Sequence, residues 1–197
     1  MKKLIVFALM AMVAGSAMAQ NAVLNPGFET AGGESWQADQ WVLGASGVFR
    51  TDLNPYAGTY NLRIDANADP AAAQTVLGLS AWANMGITYS AMVEVTGGTA
   101  GNVYMGVNQR DATAAFISNH ESAGIWGTGG DYQQTTLNFT GAANLNRIEV
   151  YFKTDEVATR LFDVDNVSLT QAIPEPATMS LLGLGALAMV IRRKIRK

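Results

Sequence analysis

Apolar and polar side chains take turns along most of this chain, with a period of two. Tyr89, Ala91, Val93 and Val95 alternate with Thr88, Ser90, Met92 and Glu94, and Val103, Met105 and Val107 alternate with Tyr104 and Asn108. The same rhythm recurs in Leu62 and Ile64, in Leu137 and Phe139, in Ile148, Val150 and Phe152, and in Phe162 and Val164. A strand turns successive side chains to opposite faces, so this pattern predicts half-buried antiparallel strands. Gly97-Gly98, the stretch 127–131 and the stretch 141–146 punctuate the runs with Gly, Asn and Asp. Regular punctuation of short strands predicts an all-β sandwich or barrel. Helix is expected only around Asp69 to Leu79 and in two apolar terminal segments.

Those terminal segments do not alternate. Lys2-Lys3 precede the apolar run Leu4 to Ala14, and Ala17-Met18-Ala19 offers small residues at cleavage spacing, which reads as a secretory signal peptide over residues 1–19. At the other end stand Pro174-Glu175-Pro176, an uncharged run to Ile191, and Arg192-Arg193-Lys194. The two prolines fix their own φ and push their predecessors out of the helical region, keeping that peptide extended. The run from Ala177 to Ile191 spans roughly 22 Å as a helix, short of a hydrocarbon core of about 30 Å. It reads as a marginal transmembrane helix, with the basic cluster as its cytoplasmic stop; the other reading is a buried core helix. Three segments follow: 1–19, a β-sandwich domain at 20–172, and a tail at 173–197.

The order of Pro174-Glu175-Pro176, apolar helix and terminal basic cluster resembles the PEP-CTERM sorting signal of Gram-negative bacteria. The resemblance covers about the last 25 residues. It implies recognition by an exosortase-type processing enzyme, an inner-membrane intermediate, and delivery to the cell surface or an exopolysaccharide matrix.

Composition sharpens the picture once the ends are set aside. Seven of the 13 basic residues lie in the two terminal segments, against one of the 16 acidic ones, so residues 20–172 carry a net charge of −9 where the whole chain shows −3. An acidic domain lacks the positive footprint that nucleic acid or anionic lipid requires. The chain has no cysteine, so an exported domain must be held by its core or a bound ion.

A second resemblance joins the two ends of the domain. Asn25-Pro26-Gly27-Phe28-Glu29, Ala57-Gly58-Thr59-Tyr60-Asn61-Leu62 and Phe162-Asp163-Val164-Asp165-Asn166-Val167-Ser168-Leu169 are similar, in that order, to landmarks of jelly-roll carbohydrate-binding modules with a galactose-binding-like fold. The resemblance implies a structural Ca²⁺ held by Glu29 and Asp165; the alternative is that Glu29 caps a turn and Asp165 bonds nearby backbone.

Candidate chemistry follows from strand parity. If Val103, Met105, Val107, Ile148, Val150 and Phe152 face the core, then Tyr104, Asn108, Glu149 and Tyr151 face outward and form a candidate glycan-binding face, with Trp82, Trp126 and Tyr132 on its rim. Exposed tyrosines are also ordinary strand formers. Trp36 and Trp41 are expected to plug the core, and His120, the one histidine, to sit in a solvated loop. A lone histidine with no nucleophile motif beside it, and no cysteine, leaves a Ser–His, Cys–His or zinc site without its parts. The expectation is therefore a non-catalytic protein that binds extracellular polysaccharide; a surface adhesion or structural protein that binds protein partners is the alternative.

Overall fold

The computed structural model describes residues 20–44, 47–65, 71–96, 101–127, 130–155 and 161–172. The terminal apolar runs, the PEP motif and the basic cluster lie outside these residues. Among the described residues no helix is long and apolar enough to cross a membrane.

Ten strands make two five-stranded sheets. They are β1 (Val42–Leu43), β2 (Val48–Thr51), β3 (Asn61–Ile64), β4 (Ala72–Val76), β5 (Gly86–Thr96), β6 (Val103–Arg110), β7 (Phe116–Glu121), β8 (Gln133–Thr140), β9 (Arg147–Thr154) and β10 (Leu161–Gln171). The first sheet runs β1-β4-β9-β6-β7 and the second β2-β3-β10-β5-β8, with antiparallel pairing throughout. The fold is thus an antiparallel β-sandwich, as the alternation predicts. Ile87, Tyr89 and Val93 of β5 meet Met105, Val107, Ile148, Val150 and Phe152 between the sheets, every one of them buried. All ten strands and the whole core cluster fall within Gln20–Gln171, a compact unit with what it needs to fold alone.

The ends of that unit are laced together. Ala22 N–H donates to Leu169 O at 2.9 Å, and Asn21 bridges β10 by giving Nδ2–H to Val167 O and accepting Leu169 N–H. A bulge between Asp165 and Ser168 resets the parity of β10. Asn166 takes φ 48°, so Asp165 points outward while Val167 and Leu169 return to the core.

The second sheet's outward face is covered. Residues 52–60 cross it: Asn54 Nδ2 donates to Glu94 at 2.5 Å, Ala57 N–H to Asp165 at 2.9 Å, and Tyr132 packs on Tyr56 and donates its hydroxyl to Asn54 O. Beneath lie Asn61, Asp163 and Asp165, none with measurable exposure, and Arg63 clasps Asp163 through Nε at 2.8 Å and Nη2 at 2.6 Å. Burial and the nearby carboxylates of Asp163, Asp165 and Glu94 push the Tyr132 hydroxyl far above its ordinary pKa.

Four expectations are corrected. The alanine-rich stretch near Asp69 to Leu79 is not helical where it is described: Ala72–Val76 is β4, and only a 3₁₀ turn follows at Leu79–Trp82. Five backbone pairings with β9 outweigh alanine's weak helical preference. Trp41 is buried against Phe28 and Phe152, but Trp36 is 48% exposed and lends only its carbonyl, to Arg50 N–H. His120 is no loop residue. It sits on β7 opposite Val107, stacks on Phe139 at 5.1 Å and meets the Gln109 amide at 3.0 Å. An edge strand is held by its ladder to β6, so it needs no apolar alternation to announce it. Tyr132 belongs to the cover of the second sheet, away from the candidate face on the first.

Candidate functional site on the outward face of the first sheet

Pairing across the first sheet sets its outward side chains in rows. One row is Val42, Ala73, Tyr151, Gly106 and Glu121; the next is Thr75, Glu149, Asn108 and Asn119; Lys153 pairs with Tyr104 on the far side. Parity turns Tyr104, Asn108, Glu149 and Tyr151 outward, and the pairing of β6 with β9 makes them neighbours.

Gly106 makes the centre of this face. A Cβ there would stand 2.1 Å from Tyr151 Cζ, so the Tyr151 ring lies over bare backbone. Its hydroxyl donates to Glu121 Oε1 at 2.5 Å and accepts from Asn119 Nδ2 at 2.6 Å. Lys153 Nζ reaches the same Glu121 oxygen at 2.8 Å. Burial raises the Glu121 pKa, yet the Lys153 and Tyr151 hydrogen bonds outweigh it and leave the carboxyl below its ordinary value. In the neighbouring row Asn119 Nδ2 gives to Asn108 Oδ1 at 2.9 Å, Asn108 Nδ2 gives to Glu149 Oε2 at 2.9 Å, and Arg110 closes on that oxygen at 3.3 Å. Tyr104 carries Lys153 Nζ 5.5 Å above its ring, and the hydrogen bond with Asp155 raises its pKa.

The network holds both donors and acceptors in fixed directions on an outward surface. Such a surface suits a neutral ligand rich in hydroxyls. Tyr151, expected on the outward glycan-binding face, is only 6% exposed, because Gly106 lets the ring sink and the hydroxyl is tethered. Trp126 is 67% exposed, just beyond Ile125, which bridges to Val103 of β6. Trp82 is not on this face: it closes the 3₁₀ turn between the sheets and packs against the core. Arg110, Asn119 and Glu121 complete the network without having been expected there. Gly106 inside a strand pattern was the readable sign of a close approach.

Glu29 and Asp165, the expected calcium ligands, both border Gly27. A Cβ at Gly27 would stand 3.4 Å from Asp165 Oδ1 and 3.8 Å from the Glu29 Cγ methylene. Glu29 Oε1 accepts Thr59 and Tyr60 N–H, and Asp165 accepts Ala57 and Asn166 N–H. Burial raises the Asp165 pKa and the like charge of Glu29 adds to it, against the lowering effect of those backbone bonds. These are the bonds of the alternative reading, in which Glu29 caps a turn and Asp165 bonds nearby backbone; a calcium ion here would need both carboxylates and would draw its other ligands from backbone carbonyls and water. Among the described residues no group of three or more His, Cys, Asp or Glu side chains suits a metal ion. Arg50 holds the opening motif from its backbone: it binds the carbonyls of Phe28, Ser35 and Glu29 and lies 3.3 Å over the Tyr60 ring.

Comparison with known proteins bears on both ends of this picture. Residues 172–194 match the PEP-CTERM protein-sorting motif, which indicates an exported protein sorted to the cell envelope. No curated protein matches the chain. Among solved structures it is similar to the CBM22-1 xylan-binding domain of Paenibacillus barcinonensis Xyn10C, at 15% identity and TM-score 0.55 over 75% of this chain and 92% of that one. It is similar also to TmCBM61, solved with β-1,4-galactotriose, at 14% identity and TM-score 0.52 over 78% and 99%. A bacteriophage CBA120 tailspike enzymatic domain matches at 13% identity and TM-score 0.56, over 77% of this chain and 21% of that one. The chain therefore carries a PEP-CTERM sorting motif behind a domain with the jelly-roll fold of carbohydrate-binding modules.

Proposed function

We propose that this protein is a non-catalytic glycan-binding module of the bacterial surface, whose ligand lies across the outward face of β9, β6 and β7. The observation that carries the reading is the single network from Lys153 and Glu121 through Tyr151, Asn119 and Asn108 to Glu149 and Arg110. Seven side chains from three strands are held in place before any ligand arrives, which lowers the entropy lost on binding. Tyr104 and Trp126 supply the aromatic surface at one end. The signal peptide exports the chain in this reading, the tail holds it at the inner membrane, and an exosortase-type enzyme of a Gram-negative host releases it to the extracellular polysaccharide. Glu29 and Asp165 hold a structural Ca²⁺ that ties the opening motif to β10.

Affinity electrophoresis of residues 20–172 in gels containing β-1,4-xylan, β-1,4-galactan or the host's own exopolysaccharide tests the reading. Retardation is expected in at least one gel and is lost in Asn108→Ala/Glu149→Ala with the fold intact by circular dichroism. Free migration in all three gels, or retardation indifferent to that pair, overturns it. A surface protein that binds protein partners is the second reading, and the uncharged strand β8 at the end of its sheet favours it.

A further inference from the structure

We propose that the cleft between β8 and the segment 121–127 is a second saccharide site, which takes one pyranose unit of a neutral glycan. The proposal rests on the reading of this domain as a glycan binder and adds a site off the outward face. On β5 the side chains of Tyr89, Ala91 and Val93 are buried, yet the residues paired with them on β8 are not: Leu137 and Thr135 are half-buried and Gln133 is exposed. Residues paired across two strands share a face of the sheet, so all three point between the sheets without being covered there. His120 closes that space at the next inward position of β8, where it stacks on Phe139 at 5.1 Å. Beyond it the sandwich gapes.

The edge of the first sheet accounts for the gap. β7 follows β6 as far as Glu121 opposite Gly106, and Ser122 N–H still binds Met105 O at 2.8 Å. Ile125 then pairs with Val103, so the segment advances one residue more than β6 does. That surplus residue is a bulge, and a bulge bends its strand. The cavity beside it measures about 450 Å³, within the range of ligand sites at about 300–1,000 Å³. Its walls divide by chemistry. Ile125, Leu137 and the exposed Trp126 offer apolar surface, while Ser122, Gln133 and Thr135 offer neutral donors and acceptors. A pyranose divides in the same way, with C–H faces that lie on an indole and hydroxyls that need partners. Gln133 and Thr135 hold core-facing positions of their strand, where a polar side chain is costly unless what it meets is polar too. Among the described residues Glu121 is the one charged group in the lining, and its Oε1 already takes Tyr151 and Lys153. The cleft therefore favours a ligand without charge.

Nuclear magnetic resonance of residues 20–172, titrated with β-1,4-xylotriose and with β-1,4-galactotriose, is the test. At least one sugar should shift the backbone amides of Ser122, Thr135 and Leu137 and the indole N–H of Trp126. Thr135→Phe fills the cleft from its wall and should weaken that response on the order of tenfold, leaving any response of Asn108 and Asn119 on the outward face as it was. The shifts of the unaltered domain give a readout that does not depend on the variant's folding. Cleft amides that stay still with both sugars, or a cleft response indifferent to Thr135→Phe, overturn the proposal. Shifts on the face alone keep the outward site and remove this one, whereas shifts in the cleft alone uphold this site and remove the other. Silence at both removes both.

Discussion

The outward faces of the two sheets are built from the same kinds of residue and meet opposite fates. On the first sheet Asn108, Glu149, Arg110, Lys153 and Glu121 pair with one another and keep access to water. On the second, Asn61, Asp163, Arg63 and Glu94 pair just as closely, yet residues 52–60 and Tyr132 seal them in. A paired charge in water contributes little to stability, whereas a paired charge under cover is costly to orphan. The first network is free to answer to a ligand. The second answers only to the fold.

Substitution separates the two sharply. Asp163→Ala leaves the partly exposed Arg63 guanidinium and the buried Asn61 amide without their shared partner, and urea denaturation should report a loss of about 3 kcal/mol. Glu149→Ala, on the open face, should fall within about 0.5 kcal/mol of the parent. Equal losses would mean that both faces are structural, and would count against a binding role for the first.

Calcium sharpens the same contrast at the border of the covered face. Saturating the chelated domain at 100 times the dissociation constant should add about 2.7 kcal/mol. The sign at Asp165 is separately testable. Its folded pKa is raised, so its favourable contribution is present below the ordinary carboxylate value and is lost as pH rises through the folded one. Asp165→Asn in chelator removes the charge but turns an amide N–H toward Ala57 or Asn166 N–H, so its pH profile is the readout: the stability that the parent loses above the carboxylate range should not be lost in the variant, and an unchanged profile would refute the burial argument.

Gly58 tests how the cover is held. At φ 71°, with Glu29 Oε1 2.1 Å from where a Cβ would stand, Gly58→Ala should cost about 2 kcal/mol by thermal melting and blunt the calcium response as well. A neutral result would show that residues 57–60 can slide away from Glu29. The smallest effect runs the other way. Tyr89 is wholly buried between the sheets and its hydroxyl has no partner among the described residues, so Tyr89→Phe should stabilise by about 1 kcal/mol. A loss there would reveal a bond that the core does make.

Alternation exposed the long strands because β5, β6, β9 and β10 each bury one face. It hid β4, whose alanines favour helix locally, and β7, an edge strand whose Ser-Asn-His-Glu run has no apolar rhythm. It also misjudges buried glutamine. Gln74 and Gln109 face inward and tie loops to the core, Gln74 through Leu24 and Gln40, Gln109 through Thr140 and Ala142. Their partners are 31 to 50 residues away for the most part, beyond any local pattern. The candidate face was half legible for the same reason. Parity gives Tyr104, Asn108, Glu149 and Tyr151 one side of their strands, but strand order alone brings Asn119 and Glu121 beside them, and only the absent side chain at Gly106 sinks Tyr151.

The lacing of β10 has a mechanical consequence. This strand is eleven residues long, lies between β3 and β5, and ends at Gln171, close to where the sorting motif begins. Its ladder bonds run across the strand axis. Tension drawn along the strand from its C-terminal end loads them in shear, many at once, instead of peeling them one by one. Pulled from that end, the domain would be loaded through a strand with a neighbour on each side.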